Sequence, residues 1–332
     1  MVKLTITKND AGQRVDKFIT KAYPELPASA MYKALRRKDI KLNRRRCEGS
    51  DRLSEGDVLE LYISDDLLGT AAAREQYRYE FLRAGTALDI VYEDEHLLVI
   101  NKPQGLIVHP DSTYQTDTLI SRIQRYLYEK GEYQPENEQS FVPALVNRID
   151  RNTSGLVMAA KTAAALRILN DKLKSREIEK SYLCIVHGRV KKHSETLVGY
   201  LEKHEAQNRV YIEQKPNART KTIKTRYRLI ATRPELSLLE VELLTGRTHQ
   251  IRAHLASIGH PLLGDGKYGT NRQNKGKGFS RQALCSYKLV FAFTEDAGEL
   301  QYLNGMELRV RSVDFAQQFL AQPDCTVVSS IS

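Results

Sequence analysis

The sequence lacks the features that mark several common classes of protein. Its 332 residues include only four cysteines, widely separated in the chain, so neither a paired-thiolate zinc motif nor a disulfide framework is expected. No uncharged stretch approaches the roughly 18 residues of a membrane-spanning helix. The first ten residues, MVKLTITKND, lack the apolar run of a signal peptide. These absences predict a protein that is made and kept in the reducing cytoplasm.

Positive charge is present in excess. The formal net charge is +10, whereas the hydrophobic share of 41% and the charged share of 28% are ordinary for a globular protein. Lysine and arginine release condensed counterions when they meet phosphates, so the balance favours a polyanionic partner such as nucleic acid. A basic protein without such a partner is the alternative. The length allows two domains, or one large domain and a small one.

The first unit, residues 1–62, combines short strand and helix patterns with a dense basic run. Val15, Phe18 and Ile19 have helical spacing, and Pro27 opens a second predicted helix. The basic side chains cover the end of that helix and the turn after it: Lys33, Arg36, Arg37, Lys38, Lys41, Arg44, Arg45 and Arg46. Such a run concentrates positive potential and predicts RNA binding, although similar runs also occur on solvated faces.

The segment from AGQRVDKF to NRRR, together with the strand VLELYI, resembles the ribosomal-protein-S-four-like RNA-binding domain. Arg14, Asp16 and the basic second helix carry this resemblance. It implies a small α/β RNA-binding domain at residues 1–62. We expect a linker at 63–85, a larger domain at 86–320 and a polar, frayed tail at 321–332.

The larger domain mixes strand and helix patterns without a regular β-α alternation. Runs such as GLVMAAK, SYLCIVHGRV and SLLEVELL read as strands, while TAAALRILNDKLKSREI and THQIRAHLASIG read as helices. This order predicts an α+β fold with a mixed, largely antiparallel sheet and flanking helices.

The segment ALVNRIDRNTSGLVMAAK contains the first candidate for chemistry. Asp150 lies between Arg148 and Arg151 on a predicted turn between two apolar strands. The turn would hold the carboxylate rigidly, and neighbouring guanidinium groups would favour its ionised form. The alternative is an aspartate that caps the turn and pairs with an arginine.

Residues 147–156, NRIDRNTSGL, resemble the signature of the RluA-type RNA pseudouridine synthases. That family usually has His-Arg-Leu-Asp, so Asn147 replaces a histidine that lies beside the substrate site, and Ile149 replaces a leucine. Further segments follow the order of the family's motifs, at 100–109, 180–188, 245–254, 259–265 and 281–284. The match covers roughly residues 86 to 315 and implies the pseudouridine synthase fold.

The resemblance assigns three catalytic positions. Asp150 acts at the ribose or the base, Tyr182 stacks on the target uracil and helps to manage a proton, and Arg252 pairs with Asp150. A core tyrosine and a surface helix arginine are the alternatives for the last two positions. Arg148 would contact an RNA phosphate or fill the space that the uracil vacates. The isomerisation exchanges no electrons and adds no outside group, so no metal, nucleotide or flavin cofactor is expected.

Two other patterns are weaker. Residues 264–269 satisfy G-x-G-x-x-G, but the following NRQNKGKG does not predict the helix that a dinucleotide site requires. His249, His254 and His260 lack acidic or cysteine partners at ligand spacing, and Arg247 and Arg252 would repel a cation, so no metal site is expected. These histidines are better explained by core packing or RNA contact.

The favoured function is therefore isomerisation of uridine to pseudouridine in structured RNA, with large-subunit ribosomal RNA ahead of transfer RNA. One alternative is a catalytically silent RNA-binding or ribosome-assembly factor. Another is a nucleoside hydrolase or glycosidase, which would normally need a second carboxylate as general acid. Neither a membrane nor a nucleotide cofactor is expected as a partner, and a monomer is the default state.

Overall fold

A computed structural model describes residues 1–69, 78–110 and 116–331. The chain divides into two compact units. Unit 1 contains residues Met1–Ala87, His109–Leu145 and Ala159–Arg167, and unit 2 contains Leu88–Val108, Val146–Met158 and Ile168–Ser332. Residues 70–77 of the expected linker lie outside the described residues. The domain boundaries at 62 and 85 therefore stay a prediction.

Unit 1 begins with a small antiparallel sheet and two helices. Its first elements are β1 (Val2–Thr5), α1 (Val15–Ala22), α2 (Ala28–Arg37), β2 (Ile40–Leu42), β3 (Arg45–Arg46), β4 (Val58–Leu61) and α3 (Asp65–Leu68). The strand order is β1-β4-β2-β3. Val15, Phe18 and Ile19 of α1 are fully buried, as their spacing predicts. Helix α2 starts directly after Pro27 and stops at Lys38, whose φ of 67° is left-handed.

The rest of unit 1 packs against this N-terminal part. It contains 3-10 turns at Glu80–Arg83 and Pro135–Asn137, helix α4 (Leu119–Glu129), strand β7 (Ala144–Leu145) and the start of helix α5 (Ala163–Lys174). The Ser140 hydroxyl donates to the fully buried Asp10 carboxylate at 2.6 Å. The Arg167 guanidinium donates to the Ala11 carbonyl at 2.7 Å. Removal of residues 1–62 would therefore expose buried polar groups.

Unit 2 is built on a large sheet. Its strands include β5 (Ile90–Glu93), β6 (Leu97–Lys102), β8 (Ser154–Ala160), β9 (Ile178–His187), β10 (Ser194–His204), β11 (Arg209–Glu213), β12 (Lys221–Arg233), β13 (Leu236–Leu243) and β14 (Leu284–Phe291). Their order is β11-β10-β12-β13-β9-β14-β8-β6-β5. The pairs from β11 to β14 are antiparallel, whereas β14 and β8 are parallel. The predicted α+β class with a mixed, largely antiparallel sheet is confirmed.

Three helices and two short strands complete unit 2: α6 (Gln250–Ser257), α7 (Asn271–Asn274), α8 (Asp314–Leu320), β15 (Glu307–Arg309) and β16 (Thr326–Val327). The expectation of no helix after residue 269 is wrong, because Thr270 and Gln273 cap α7 reciprocally. Within the described ranges, no helix combines the length and the apolarity that bilayer crossing requires.

The C-terminal residues are ordered in part, so the expected frayed tail is a second error. Val327 pairs with Ala231, and Thr326 pairs with Thr232 of β12. The Val328 amide donates to the Ile230 carbonyl at 2.8 Å. Strand β10 pairs with β12 only as far as Arg228. Beyond the end of β10, backbone groups of β12 have no partner from that strand. Strand β16 forms hydrogen bonds with them instead.

Strands β8 and β14 approach each other unusually closely at Gly155. This residue has φ +108°, and a Cβ there would lie 2.1 Å from the Ser286 carbonyl oxygen. Only glycine allows both the backbone conformation and the approach. Gly155 thereby fixes the start of β8, directly after the Asp150 turn.

We predict that Gly155→Ala destabilises the fold by about 3 kcal/mol or more, because it adds a steric clash to an unfavourable φ. Gly259→Ala is the matched control, since Gly259 has φ +85° and a Cβ there would meet no described atom within 4 Å. That control should cost only about 1–2 kcal/mol. Urea unfolding measures both changes, and equal losses would contradict the proposed close approach.

Candidate active site

Asp150 lies on the turn between β7 and β8. The Thr153 amide donates to the Asp150 carbonyl at 3.0 Å and closes the turn. Thr153 itself is 2% exposed, whereas the Asp150 side chain retains 25% exposure. The backbone is therefore held firmly while the carboxylate still reaches solvent, as the sequence predicted for this turn.

A buried lysine, whose role the sequence did not reveal, binds the backbone of the turn. Lys102 is fully buried, and its ammonium group donates to the carbonyls of Pro103 (2.8 Å), Leu106 (2.8 Å) and Arg151 (3.0 Å). The Gly105 amide adds a hydrogen bond to the Arg151 carbonyl at 2.8 Å. Burial lowers the pKa of Lys102 to about 7, although Asp150 opposes this effect.

Arg252 on α6 contacts the Asp150 carboxylate directly. Its Nη1 donates to Asp150 Oδ2 at 2.9 Å. Its Nε and Nη2 donate to the two carboxylate oxygens of Asp265 at 2.7 and 2.9 Å. Arg252 is 8% exposed, so it is a buried arginine and not a surface one. The pairing predicted between Arg252 and Asp150 is present.

Asp265 fixes the orientation of this arginine, and sequence reasoning missed it. Its side chain is completely buried, and it also accepts hydrogen bonds from the amides of Lys267 (2.8 Å) and Tyr268 (3.2 Å). Burial alone would raise the pKa of Asp265, but Arg252 and the amides keep that pKa below its ordinary value. Asp265 thus binds the Nε and Nη2 groups of Arg252, and the Nη1 group faces Asp150. The only sequence signal was its place in the 259–265 motif.

His249 lies on the same side of Asp150 as Arg252 does. Its φ of 53° is left-handed, and it directly precedes α6. Nε2 is 3.8 Å from Asp150 Oδ2, and Nδ1 is 2.9 Å from the Tyr268 hydroxyl. Burial lowers the pKa of His249 to about 4, although Asp150 favours the charged form. A neutral imidazole therefore borders the carboxylate near pH 7.

Tyr182 is on β9, opposite Ser286 of β14 in the strand pairing. It is 5% exposed, and burial raises the pKa of its phenol to about 12. The negative charge of Asp150 acts in the same direction. The hydroxyl is therefore protonated at neutral pH. This burial accords with the core alternative for Tyr182.

Asn147, which replaces the family's usual histidine, binds backbone atoms of β8. Its Oδ1 accepts from the Met158 amide at 2.8 Å, and its Nδ2 donates to the Leu156 carbonyl at 3.4 Å. The amide therefore supports the strand that follows the Asp150 turn. Arg148, one residue later, is exposed, which leaves its guanidinium accessible to a ligand.

His254 and His260, the two other histidines of the predicted motifs, form hydrogen bonds within the fold. His254 is 2% exposed and lies 2.9 Å from the Thr225 hydroxyl, and His260 lies 2.8 Å from the His187 carbonyl. Across residues 1–69, 78–110 and 116–331, histidine, cysteine and carboxylate side chains form no group of three that could hold a metal.

The basic residues predicted to bind RNA lie in unit 1, on α2, β2, β3 and the intervening turns. Seven of them are exposed: Lys33, Arg36, Arg37, Lys38, Arg44, Arg45 and Arg46. Lys41 is half-buried, with its ammonium 5.0 Å from the centre of the Tyr62 ring. Arg37 is also 3.4 Å from Asp39. The cluster presents several positive charges to solvent on one small sheet and helix.

Comparisons with known proteins agree with this geometry. The family model for RNA pseudouridylate synthase matches residues 96–257. An uncharacterised RNA pseudouridine synthase of Mycoplasma genitalium is 31% identical over 304 residues, which cover 87% of this chain and 88% of that protein. The ribosomal large subunit pseudouridine synthase C of Escherichia coli K12 is 31% identical over 300 residues, with coverage of 87% and 88%.

These matches define the class as RNA-modifying isomerases. The chain belongs to the RluA-type family of RNA pseudouridine synthases, as its ordered motifs indicate. Among solved structures, human RNA Pseudouridylate Synthase Domain Containing 1 shares the fold, with a TM-score of 0.51 and 24% identity. That match covers 72% of this chain and 97% of the human chain.

We predict that Asp265→Asn lowers the free energy of unfolding by about 3–5 kcal/mol, because it leaves a buried guanidinium without its main partner. Asp324→Asn is the matched control. It breaks the 2.7 Å pair with Arg233, in which Asp324 is 42% exposed, and should cost at most about 1 kcal/mol. Urea unfolding measures both, and similar small losses would show that Asp265 is not a structural anchor.

Proposed function

We propose that this protein converts specific uridines of structured RNA into pseudouridine, with Asp150 as the catalytic carboxylate. One observation carries the proposal: a partly exposed carboxylate hydrogen-bonded at 2.9 Å by a buried arginine. A carboxylate in this position is anchored in one rotamer while it remains open to a ligand. The membership of the chain in the RNA pseudouridine synthase family supports the same chemistry.

The reaction breaks the bond between the ribose and uracil N1, turns the base, and forms a new bond at uracil carbon 5. The proton on that carbon then leaves and N1 gains a proton, so atoms and electrons balance without a redox partner. Positive charge develops at the anomeric carbon when the first bond breaks. Asp150 supplies the carboxylate that this step needs, as nucleophile or as base.

Arg252 and Tyr182 complete the proposed catalytic set. Arg252 stabilises the ionised carboxylate of Asp150. Because Asp265 already fixes the Arg252 side chain, forming this contact costs little conformational entropy. Tyr182 is included because of the family resemblance, which implies stacking on the turned uracil, and its protonated phenol suits transfer of a proton near that base.

The target uridine must leave its stack to reach Asp150, at a cost of a few kcal/mol in a duplex and less in a loop. Exposed Arg148, two residues before Asp150, is suited to bind a phosphate or to occupy the vacated space. The exposed basic residues of unit 1 are proposed to bind the RNA backbone elsewhere, as expected for a ribosomal-protein-S-four-like domain.

The proposed substrate is large-subunit ribosomal RNA. The supporting relatives from Escherichia coli, Yersinia pestis and Vibrio vulnificus are named ribosomal large subunit pseudouridine synthase C. Transfer RNA is the second candidate substrate. A cytoplasmic location and a monomeric state are also proposed, in line with the charge and the scattered cysteines of the chain.

We predict that Asp150→Ala and Asp150→Asn abolish the release of tritium from ribosomal RNA labelled at uracil carbon 5, because the label leaves only when that carbon becomes glycosidic. RNA affinity should stay nearly unchanged in both variants, since neither alters the basic residues. Asp324→Asn serves as a control with normal release. Substantial turnover by the Asp150 variants would contradict the assignment. Binding without release by the wild type would favour an assembly factor, and free uracil would indicate a hydrolase.

The basic residues of unit 1 are tested by the triple change Arg44→Gln, Arg45→Gln and Arg46→Gln. We expect weaker RNA binding. The slope of the logarithm of the binding constant against the logarithm of the salt concentration should become shallower by up to about three, at about one for each lost phosphate contact. Substitution is preferable to deletion of 1–62, because deletion would remove Asp10 and leave the buried Ser140 hydroxyl without its partner.

The matched control removes three exposed charges from unit 2, with Lys174→Gln, Lys191→Gln and Arg311→Gln. Filter binding over a series of salt concentrations compares the two triple variants. An identical slope for both would contradict RNA binding by Arg44, Arg45 and Arg46.

A further inference from the structure

A second group of cations lies near the ring of Tyr268, which also contacts Arg252, and part of it is on an element that the family motifs do not include. Arg209 is the first residue of β11, the edge strand of the large sheet. Lys267 follows Asp265 by two residues, in the loop after the buried ion pair. Both side chains are half-buried in unit 2.

Two tyrosine rings hold the Arg209 guanidinium. Its central carbon is 5.2 Å from the centre of the Tyr268 ring and 5.5 Å from that of Tyr211. The Arg209 Nε is buried and has no hydrogen-bond acceptor among the described residues. The rings therefore orient the Arg209 guanidinium without neutralising its charge. Because the side chain is already ordered in the folded protein, a ligand would not have to offset the entropy cost of ordering it.

Tyr268 connects this arginine to the catalytic centre. The Arg252 guanidinium also lies 5.2 Å from the centre of the Tyr268 ring. The Tyr268 hydroxyl accepts from the Val210 amide at 3.0 Å and is 2.9 Å from His249. The ring is thus fixed between the strand that carries Arg209 and the helix that carries Arg252.

Positive charge exceeds negative charge in this part of unit 2. Asp150 and Asp265 both pair with Arg252. Among residues 1–69, 78–110 and 116–331, no carboxylate lies within ion-pair distance of Arg209 or Lys267. Lys267 instead donates to the Asn208 carbonyl at 2.6 Å.

The titration of Lys267 reflects this imbalance. Burial, Arg252 and Arg209 lower the pKa of Lys267, whereas Asp150 and Asp265 act in the opposite direction. An anion bound between Arg209 and Lys267 would relieve the repulsion between them and would raise the pKa of the lysine again. The arrangement resembles a site prepared for a phosphate, since arginine and lysine together bind that group well.

We propose that Arg209 and Lys267 form a phosphate-binding pair that holds the RNA backbone next to the target uridine. The inference rests on the proposed function, because it assigns the anion to the substrate RNA. The pair positions the ribose against Asp150 and takes no part in bond breaking. Tyr211, which is 37% exposed, keeps one side of the Arg209 guanidinium covered.

The test uses the full chain and large-subunit ribosomal RNA transcribed with tritium at uracil carbon 5. Arg209→Gln, Arg209→Lys and Lys267→Gln are compared with Arg311→Gln, which removes one exposed charge elsewhere in unit 2. Single-turnover release gives the half-saturating protein concentration and the limiting rate, and filter binding gives the dissociation constant. Each quantity is measured over a series of salt concentrations, and urea unfolding shows that each variant is folded.

We expect Arg209→Gln and Lys267→Gln each to raise the half-saturating concentration about tenfold. The salt slope should fall by about one for each variant, and the limiting rate should stay within about threefold of the wild type. Arg209→Lys, which keeps the charge, should retain the salt slope. If Arg209→Gln does not fold, Lys267→Gln carries the same test.

Unchanged salt slopes in Arg209→Gln and Lys267→Gln, equal to that of Arg311→Gln, would overturn the proposal even if the wild type releases tritium. A loss of limiting rate at an unchanged half-saturating concentration would overturn it as well. If the wild type releases no tritium, the proposed function fails. The filter-binding slopes would then still decide whether Arg209 and Lys267 bind phosphate.

Discussion

The buried ion pair between Asp265 and Arg252 is the constraint on which the site depends. Isolated, either charge would be costly to remove from water, but two parallel hydrogen bonds at 2.7 and 2.9 Å offset much of that cost. The pair also leaves the Nη1 group of the guanidinium to donate to Asp150. A structural interaction thereby determines the direction from which the Asp150 carboxylate is held, before any RNA arrives.

The backbone around Asp150 is constrained by contacts separate from those of its side chain. Lys102 binds three carbonyl groups, including that of Arg151, while Gly155 lets β8 approach β14 more closely than any side chain would permit. Asn147 then clamps β8 through backbone hydrogen bonds. These backbone contacts hold the turn in place while the Asp150 carboxylate stays partly accessible.

Much of this could be predicted from the sequence, and the failures have physical causes. The sheet class was predictable because apolar periodicity reports on local structure, whereas the contact between Asp150 and Arg252 was expected only from the family resemblance. The anchoring role of Asp265 was not, since it depends on a contact made across 13 residues in a folded loop. Short elements such as α7 and β16 also escaped prediction. Their formation depends on a reciprocal cap and on a vacant ladder position, neither of which leaves a hydrophobic pattern.

Strand β16 covers an edge of β12 that would otherwise be open. It occupies the part of β12 that β10 does not reach, and Arg228 reinforces it with a hydrogen bond to the Ser330 carbonyl at 2.8 Å. A chain shortened before Thr326 would leave the Ile230 carbonyl without its donors and would open this edge of β12, the kind of open strand edge that recruits another molecule. Affinity tags and fusion partners are therefore better joined at a site that leaves this short ladder intact.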